Sequence, residues 1–130
     1  MTSNTYVIDT HALLWFLGKS PRLSSRVRDL IRESQSTDSI ILVPTIVLAE
    51  ALSIIEKKRV QVTLGELLIA MRETNRFEIV PLDLPTFERM TRLPATLELH
   101  DRVIAATAQL YDCPLLSRDA VLSATVTTIW

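Results

Sequence analysis

Cysteine, glycine and long apolar runs are all scarce in this chain of 130 residues, and each shortage narrows what the protein is. The lone Cys113 has no internal disulfide partner, and no charged-then-apolar leader opens the sequence, so a reducing, cytoplasmic setting is expected. Only two glycines, Gly18 and Gly65, occur, and repeats and low-complexity stretches are absent, so one domain over residues 1–130 is expected. The longest apolar stretch, "IILVPTIVLA", is broken by Pro44 and Thr45 and falls short of the roughly 18 residues that signal a bilayer-spanning helix. No membrane role is expected. Neither charge is in excess: 14 Lys and Arg against 15 Asp and Glu leave a formal net charge of -1, which does not announce strong, unaided nucleic-acid binding.

What is present is a chain 48% apolar and 22% charged, a mixture able to bury its own core. Basic clusters do occur in "KSPRLSSRVRDLIR" and "EKKR"; one face of such a segment could meet phosphates, although a solvated helix face explains each more simply. Five short apolar runs bounded by turn formers, "TYVID", "SIILV", "RFEIV", "CPLLS" and "VTTIW", read as strands. Between them "HALLWFLG", "SSRVRDLIRES", "TIVLAEALSIIEKK", "TLGELLIAMRET", "LPTFERMTRL" and "DRVIAATAQLY" carry helical spacing. Thr63 and Glu66 fit a capping box, Pro85 suits a first helical turn, and Pro44 and Pro81 mark strand ends. Strand and helix therefore alternate, which predicts an α/β fold with a central, mainly parallel sheet between two helical layers. In such open sheets ligands sit beyond the carboxyl ends of the strands.

Four acids fall at places where that geometry gives them meaning. Asp9 ends the first predicted strand, Asp119 follows the fourth, and Glu50 and Asp101 lie on helices that could pack near the same sheet edge. Each has a plainer explanation: Asp9, Asp101 and Asp119 could cap helices or turns, and Glu50 could join Ser53 and Lys57 in a narrow solvent-facing stripe. Together they describe a negative pocket, in which carboxylates repel one another unless a cation neutralises them. Oxygen-only donors suit hard Mg²⁺ or Mn²⁺. Zinc is disfavoured, because His11, His100 and Cys113 show no close ligand spacing.

On these residues the sequence resembles PIN-domain proteins, in particular the short VapC-like ribonuclease toxins of prokaryotic toxin–antitoxin pairs. The likeness rests on "VIDTHALLWFL", the helix carrying Glu50, "HDRVIAATA" and "PLLSRD", in that order. It implies a PIN-like three-layer fold, with Asp9, Glu50, Asp101 and Asp119 in the places of the family's metal-binding acids and Ser117 at a hydroxyl position beside them. It further implies Mg²⁺-dependent hydrolysis of RNA (Mn²⁺ being an alternative ion), a homodimer, and a small antitoxin lying across the active-site mouth, with "HALLWFL" as a candidate wall. One departure stands out: related sequences often read Asp-Pro-Phe-Asp before the Arg, where this chain has Glu98, Leu99, His100 and Asp101. Arg102 and Arg118 stand beside proposed ligands and could contact phosphate, but surface ion pairs are the simpler expectation. Two other readings are a receiver-like Mg²⁺-binding signalling module and a catalytically inactive PIN-like binding domain. The first fits poorly, since Asp9 is single and no lysine follows Lys58.

Overall fold

The computed structural model describes residues 4–34, 36–73 and 76–130. Five strands, β1 (Thr5–Ile8), β2 (Ile40–Pro44), β3 (Phe77–Val80), β4 (Leu115–Leu116) and β5 (Thr128–Ile129), pair throughout in parallel. Seven helices lie between and around them among the described residues: α1 (Thr10–Leu17), α2 (Ser25–Glu33), α3 (Thr45–Glu56), α4 (Leu64–Glu73), α5 (Leu84–Met90), α6 (Leu99–Leu110) and α7 (Ala120–Ser123). They cover both faces of the sheet in the expected three-layer α/β/α arrangement. Each predicted strand is present, although the last two shrink to two residues. Thr74, at the end of one predicted helix, lies outside the described residues.

Strand order is β3-β2-β1-β4-β5, so the chain builds outward from β1 in one direction, then returns to the other side of β1. The crevice where that reversal occurs opens at the carboxyl ends of β1 and β4, the place where open α/β sheets take ligands. A receiver-like sheet of order 2-1-3-4-5 would open elsewhere. The core beneath is aliphatic: Val7, Ile8, Leu13, Ile41, Val43, Ile104 and Leu115 are each at most 1% exposed. Burial on both faces accounts for the near-continuous apolar strands. No helix among the described residues is long and apolar enough to cross a membrane.

The predicted punctuation holds. Thr63 N donates to Glu66 Oε1 at 3.0 Å and Glu66 N to Thr63 Oγ1 at 3.1 Å, a reciprocal capping box at the start of α4. Scarcity of glycine leaves a mark at the other ends. Lys19, Lys58 and Asp112 follow the caps of α1, α3 and α6 with φ of 52°, 55° and 50°, a left-handed conformation usually left to glycine. In α3 the pattern closes with Lys58 N donating to Ile55 O at 2.9 Å and Arg59 N to Ile54 O at 3.3 Å. Gly18, by contrast, has an ordinary φ of -85° and is required for space, since a Cβ there would meet Val62 Cγ2 at 3.1 Å and Leu14 O at 3.2 Å.

A left-handed non-glycine residue costs roughly 1–2 kcal/mol. Replacing Lys58 by Gly is therefore expected to raise unfolding free energy by about 1 kcal/mol in urea titrations; a loss of stability would contradict this account of the α3 terminus.

Candidate active site

Register places the first two acids. Val7 pairs with Leu115 and Ile8 with Leu116, so one step further sets Asp9 beside Ser117. Asp9 N donates to Leu116 O at 3.3 Å, which extends the ladder to the point where β1 gives way to α1. The Ser117 hydroxyl, 1% exposed, hydrogen-bonds the Asp9 carboxylate and accepts from Asp119 N at 3.0 Å. One hydroxyl thus ties the two acids together. Both also cap helices, as the plainer reading predicted: Asp9 Oδ1 accepts from Ala12 N at 2.9 Å, and Asp119 Oδ1 from Leu122 N at 3.0 Å. Capping takes one oxygen of each carboxylate and leaves a second for other work.

The same reasoning brings in Glu50. Pairing of Thr5 with Ile40 and Val7 with Leu42 sets the starts of α1 and α3 side by side, and Thr10 Oγ1 donates to Glu50 Oε1. The other carboxylate oxygen, Oε2, lies 3.3 Å from His100 Nε2. Glu50 therefore faces α1 and α6 rather than standing only in a solvent stripe. His100 Nε2 is also 3.4 Å from Asp101 Oδ1 and 3.6 Å from Glu98 Oε2.

Asp101 differs from its simplest reading. α6 begins at Leu99, with Glu98 in the cap position, so Asp101 falls in the first turn and caps nothing by its side chain. Its acid still suits the positive end of the helix. Burial raises its pKa above the ordinary 3.8; His100 opposes the rise, while Asp119, Glu98 and Glu50 add to it. Burial likewise raises the Asp9 carboxyl, against the hydrogen bonds from Ser117 and Ala12 and the charge of His11, with Asp119 contributing in the same direction as burial. Asp119 is felt by both Asp9 and Asp101, and Glu50 by Asp101, so the four acids form one electrostatic group.

Among the described residues the basic side chain found within 4.0 Å of a carboxylate is the His100 imidazole, so no lysine or arginine neutralises Asp9 or Asp119. A cavity of about 280 Å³ adjoins these two acids, walled by His11, Trp15, Arg118 and Trp130. A larger cleft of about 660 Å³ touches Asp112, Cys113 and Pro114 at the starting end of β4, the wrong end of a parallel sheet for a ligand.

Two arginines depart from the ion-pair expectation. Arg102 Nε donates to Met90 O at 2.9 Å and its Nη2 to Leu93 O at 3.4 Å, which fastens α6 to the end of α5. Arg118 lies over the Trp15 ring, 4.5 Å from its centroid, and 6.0 Å from that of Trp130. Of the α1 segment, Ala12, Leu13 and Leu14 are buried in the core, while His11, Trp15, Phe16 and Leu17 line surface cavities.

Sequence reasoning missed His100. Spacing along the chain argued against nitrogen ligands, yet the ligand atoms of Glu98, His100 and Asp101 lie within 4.8 Å of one another, a group that could hold an ion. An imidazole flanked by acids two residues before and one after was the available signal. The donor set as a whole fits a hard divalent cation: five carboxylates, Glu98 included, with Asp9 among them buried and without a lysine or arginine partner among the described residues, and a single nitrogen.

An all-parallel sheet with an acidic group at its switch point defines an α/β protein of the open-sheet class. The family model of the PIN domain matches residues 6–126, and the chain belongs to that family. Comparison with curated protein sequences returned no match. Among solved structures the chain is similar to VapBC2 from Rickettsia felis bound to a DNA fragment from its promoter, with TM-score 0.69, 18% identity, and 94% of this chain and 92% of that chain covered. It is similar also to a toxin–antitoxin complex from Klebsiella pneumoniae (TM-score 0.62, 22% identity, coverage 88% and 86%). A third is Mycobacterium tuberculosis VapC20, a sarcin–ricin-loop-cleaving toxin (TM-score 0.59, 15% identity, coverage 92% and 93%). Likeness at these identities speaks for the fold.

The raised pKa of Asp9 has a thermodynamic sign. Its contribution to stability is intact below 3.8, the ordinary value that applies in the unfolded chain, and is lost as pH rises through the higher folded value. Asp9→Asn keeps an oxygen for Ala12 N and removes the charge, so in EDTA at pH 7 the variant is expected to melt above the parent. Near pH 3 the two should converge. A variant that melts lower at pH 7 in scanning calorimetry would refute the assigned burial cost.

Proposed function

We propose that residues 1–130 act as one PIN-like nuclease domain, a metal-dependent ribonuclease that hydrolyses RNA phosphodiester bonds and serves as the toxin of a toxin–antitoxin pair. The observation that carries this is that Asp9, Glu50, Asp101 and Asp119, remote in sequence, lie near enough for Asp119 to act on both Asp9 and Asp101, with the His100 ring nitrogen 3.3 Å from Glu50 and 3.4 Å from Asp101. Family membership supports it, as do toxin–antitoxin complexes among the similar structures.

Asp9, Asp101 and Asp119 would hold Mg²⁺ or Mn²⁺, and Glu50 would complete the set or orient water. A bound ion supplies Lewis acidity toward a phosphoryl oxygen and lowers the pKa of water. The chain's own residues prepare for this. Ser117 aims Asp9, Thr10 fixes one oxygen of Glu50, and His100 draws Glu50, Glu98 and Asp101 toward one point. The nitrogen of His100 makes Mn²⁺ as acceptable as Mg²⁺. Protein nucleophiles are poor candidates: burial and Asp112 push the Cys113 thiol up to about 11, and the Ser117 hydroxyl is occupied. Water is then the nucleophile, and cleavage leaves a 5′-phosphate and a 3′-hydroxyl.

Partners follow from the surface. An apolar groove of about 390 Å³ between α3 and α4, walled by Leu48, Leu52, Leu64, Leu68, Met71 and Ile79, supports a protein partner, either the antitoxin or a second copy of the chain.

Purified protein is expected to cut RNA with Mg²⁺ or Mn²⁺ and to stop in EDTA; metal-independent cutting, or end-labelled products carrying a 2′,3′-cyclic phosphate, would overturn the mechanism. Ser117→Ala should cost roughly 10–100-fold in activity, the usual effect of losing a group that orients a ligand, and Asp9→Asn more than that. Equal activity in both variants would remove Asp9 from the site. Light scattering should give the mass of a dimer, and co-expression should recover a small protein that silences the nuclease; a monomer without any such inhibitor would leave a nuclease and discard the toxin.

A further inference from the structure

Trp15 lines the acidic cavity and also a second cavity of about 290 Å³, whose walls include Phe16, Lys19, Arg28 and Arg32 and no acid. None of these cations has a carboxylate oxygen within 4.0 Å among the described residues, although Asp29 and Glu33 share α2 with both arginines. Arg76 adjoins the same wall. Its guanidinium sits 5.1 Å from the Phe16 centroid and 5.9 Å from that of Phe77, only 9% of the residue is exposed, and burial together with Arg32 pulls its pKa down. Arg28 Nε and Arg76 Nε are the two buried side-chain polar atoms without a hydrogen-bond partner among the described residues. A buried N–H that gives up water and gains nothing costs free energy, so an acceptor that reached Arg28 from the cavity would be favoured. Three cations, Lys19, Arg28 and Arg32, line one cavity that holds no acid, with Arg76 stacked on its Phe16 wall, and that arrangement suits an anion.

We infer that this cavity binds a backbone phosphate of the RNA strand whose scissile bond lies at Asp9 and Asp119. The inference rests on the ribonuclease reading and supplies what that reading lacks. The acidic mouth repels a polyanion, and a chain of net charge -1 has no general surplus to draw one in. Guanidinium forks match phosphate oxygens two at a time, which lysine-rich surfaces do less well. The two cavities are neighbours: Trp15 forms a wall of both, and Arg118, which lines the acidic one, stacks on it at 4.5 Å. Lys19 is fixed at the end of α1, where its backbone and that of Ser20 close the helix with bonds of 3.2 and 2.9 Å to Phe16 O and Trp15 O.

The test uses single-stranded RNA bound by the Asp9→Asn protein in EDTA, so that nothing is cut, with affinity measured across a salt series. Arg28→Gln with Arg32→Gln, and separately Lys19→Gln in case the double variant fails to fold by circular dichroism, should weaken binding several-fold. Each should make the plot of log affinity against log salt shallower by about 0.7 for every phosphate that is no longer neutralised. Inorganic phosphate at constant ionic strength should raise the melting temperature of the parent more than that of either variant. With the natural Asp9 restored, KM for RNA should rise while kcat holds. Unchanged affinity and slope in a folded variant would overturn the site, as would an acidic peptide competing for the cavity without displacing RNA. If the parent binds RNA with this salt dependence but never cuts it, the phosphate site stands and the nuclease reading falls. If it cuts RNA and the variants bind as well as the parent, the reverse holds.

Discussion

The parallel pairing of β1 with β4 is the constraint on which the site depends. It fixes Asp9 next to Ser117, and through that hydroxyl next to Asp119, at the one place in the sheet where the strand order reverses. A slip of one residue would turn every side chain of β1 to the other face and put Ile8 where Asp9 stands. The aliphatic core below, with Val7, Ile8 and Leu115 fully enclosed, prevents that slip. Packing therefore holds chemistry in register, although no core residue takes part in it.

Gathering acids has a cost that the fold carries rather than avoids. Asp9 is enclosed and both it and Asp101 have their pKa values raised by burial, so the folded chain would be better off with fewer charges at its mouth. Caps, the Ser117 hydroxyl and the Thr10 hydroxyl offset part of that cost as hydrogen bonds. His100 offsets another part by standing among three carboxylates. A fold can carry such a local cost because only sufficient total stability is required of it. The left-handed lysines at helix ends are a second small cost of the same sort, borne where glycine is scarce.

Charge of opposite sign is sorted in space although the totals nearly cancel. Acids collect at the carboxyl ends of β1 and β4, while Lys19, Arg28 and Arg32 line the neighbouring cavity across Trp15 and Arg76 stacks on its Phe16 wall. Composition alone hides this, since an even balance of Lys and Arg with Asp and Glu looks the same whether charges are mixed or separated. Trp15 serves as the partition, with Arg118 stacked on it and Trp130 at its edge, 5.9 Å between centroids.

Much of this was legible in the chain itself. Short apolar runs bounded by turn formers and period-3.6 apolar spacing gave the elements, Pro44, Pro81 and Pro85 and the Thr63–Glu66 box gave several boundaries, and Asp9 at a strand end pointed to the carboxyl edge of a parallel sheet. These are local properties, written in the spacing of neighbouring residues. Strand order was not local, and neither was anything that depended on it: the contact of Thr10 with Glu50, the link from Ser117 to Asp9, the turn of Arg102 toward the Met90 and Leu93 carbonyls, and the place of His100 beside Glu50. Residue identity determined which groups could ionise, cap or coordinate. Which of them met was decided only when the sheet chose its register and the helices closed over it, because an interaction across forty residues has no signature in the spacing of either partner.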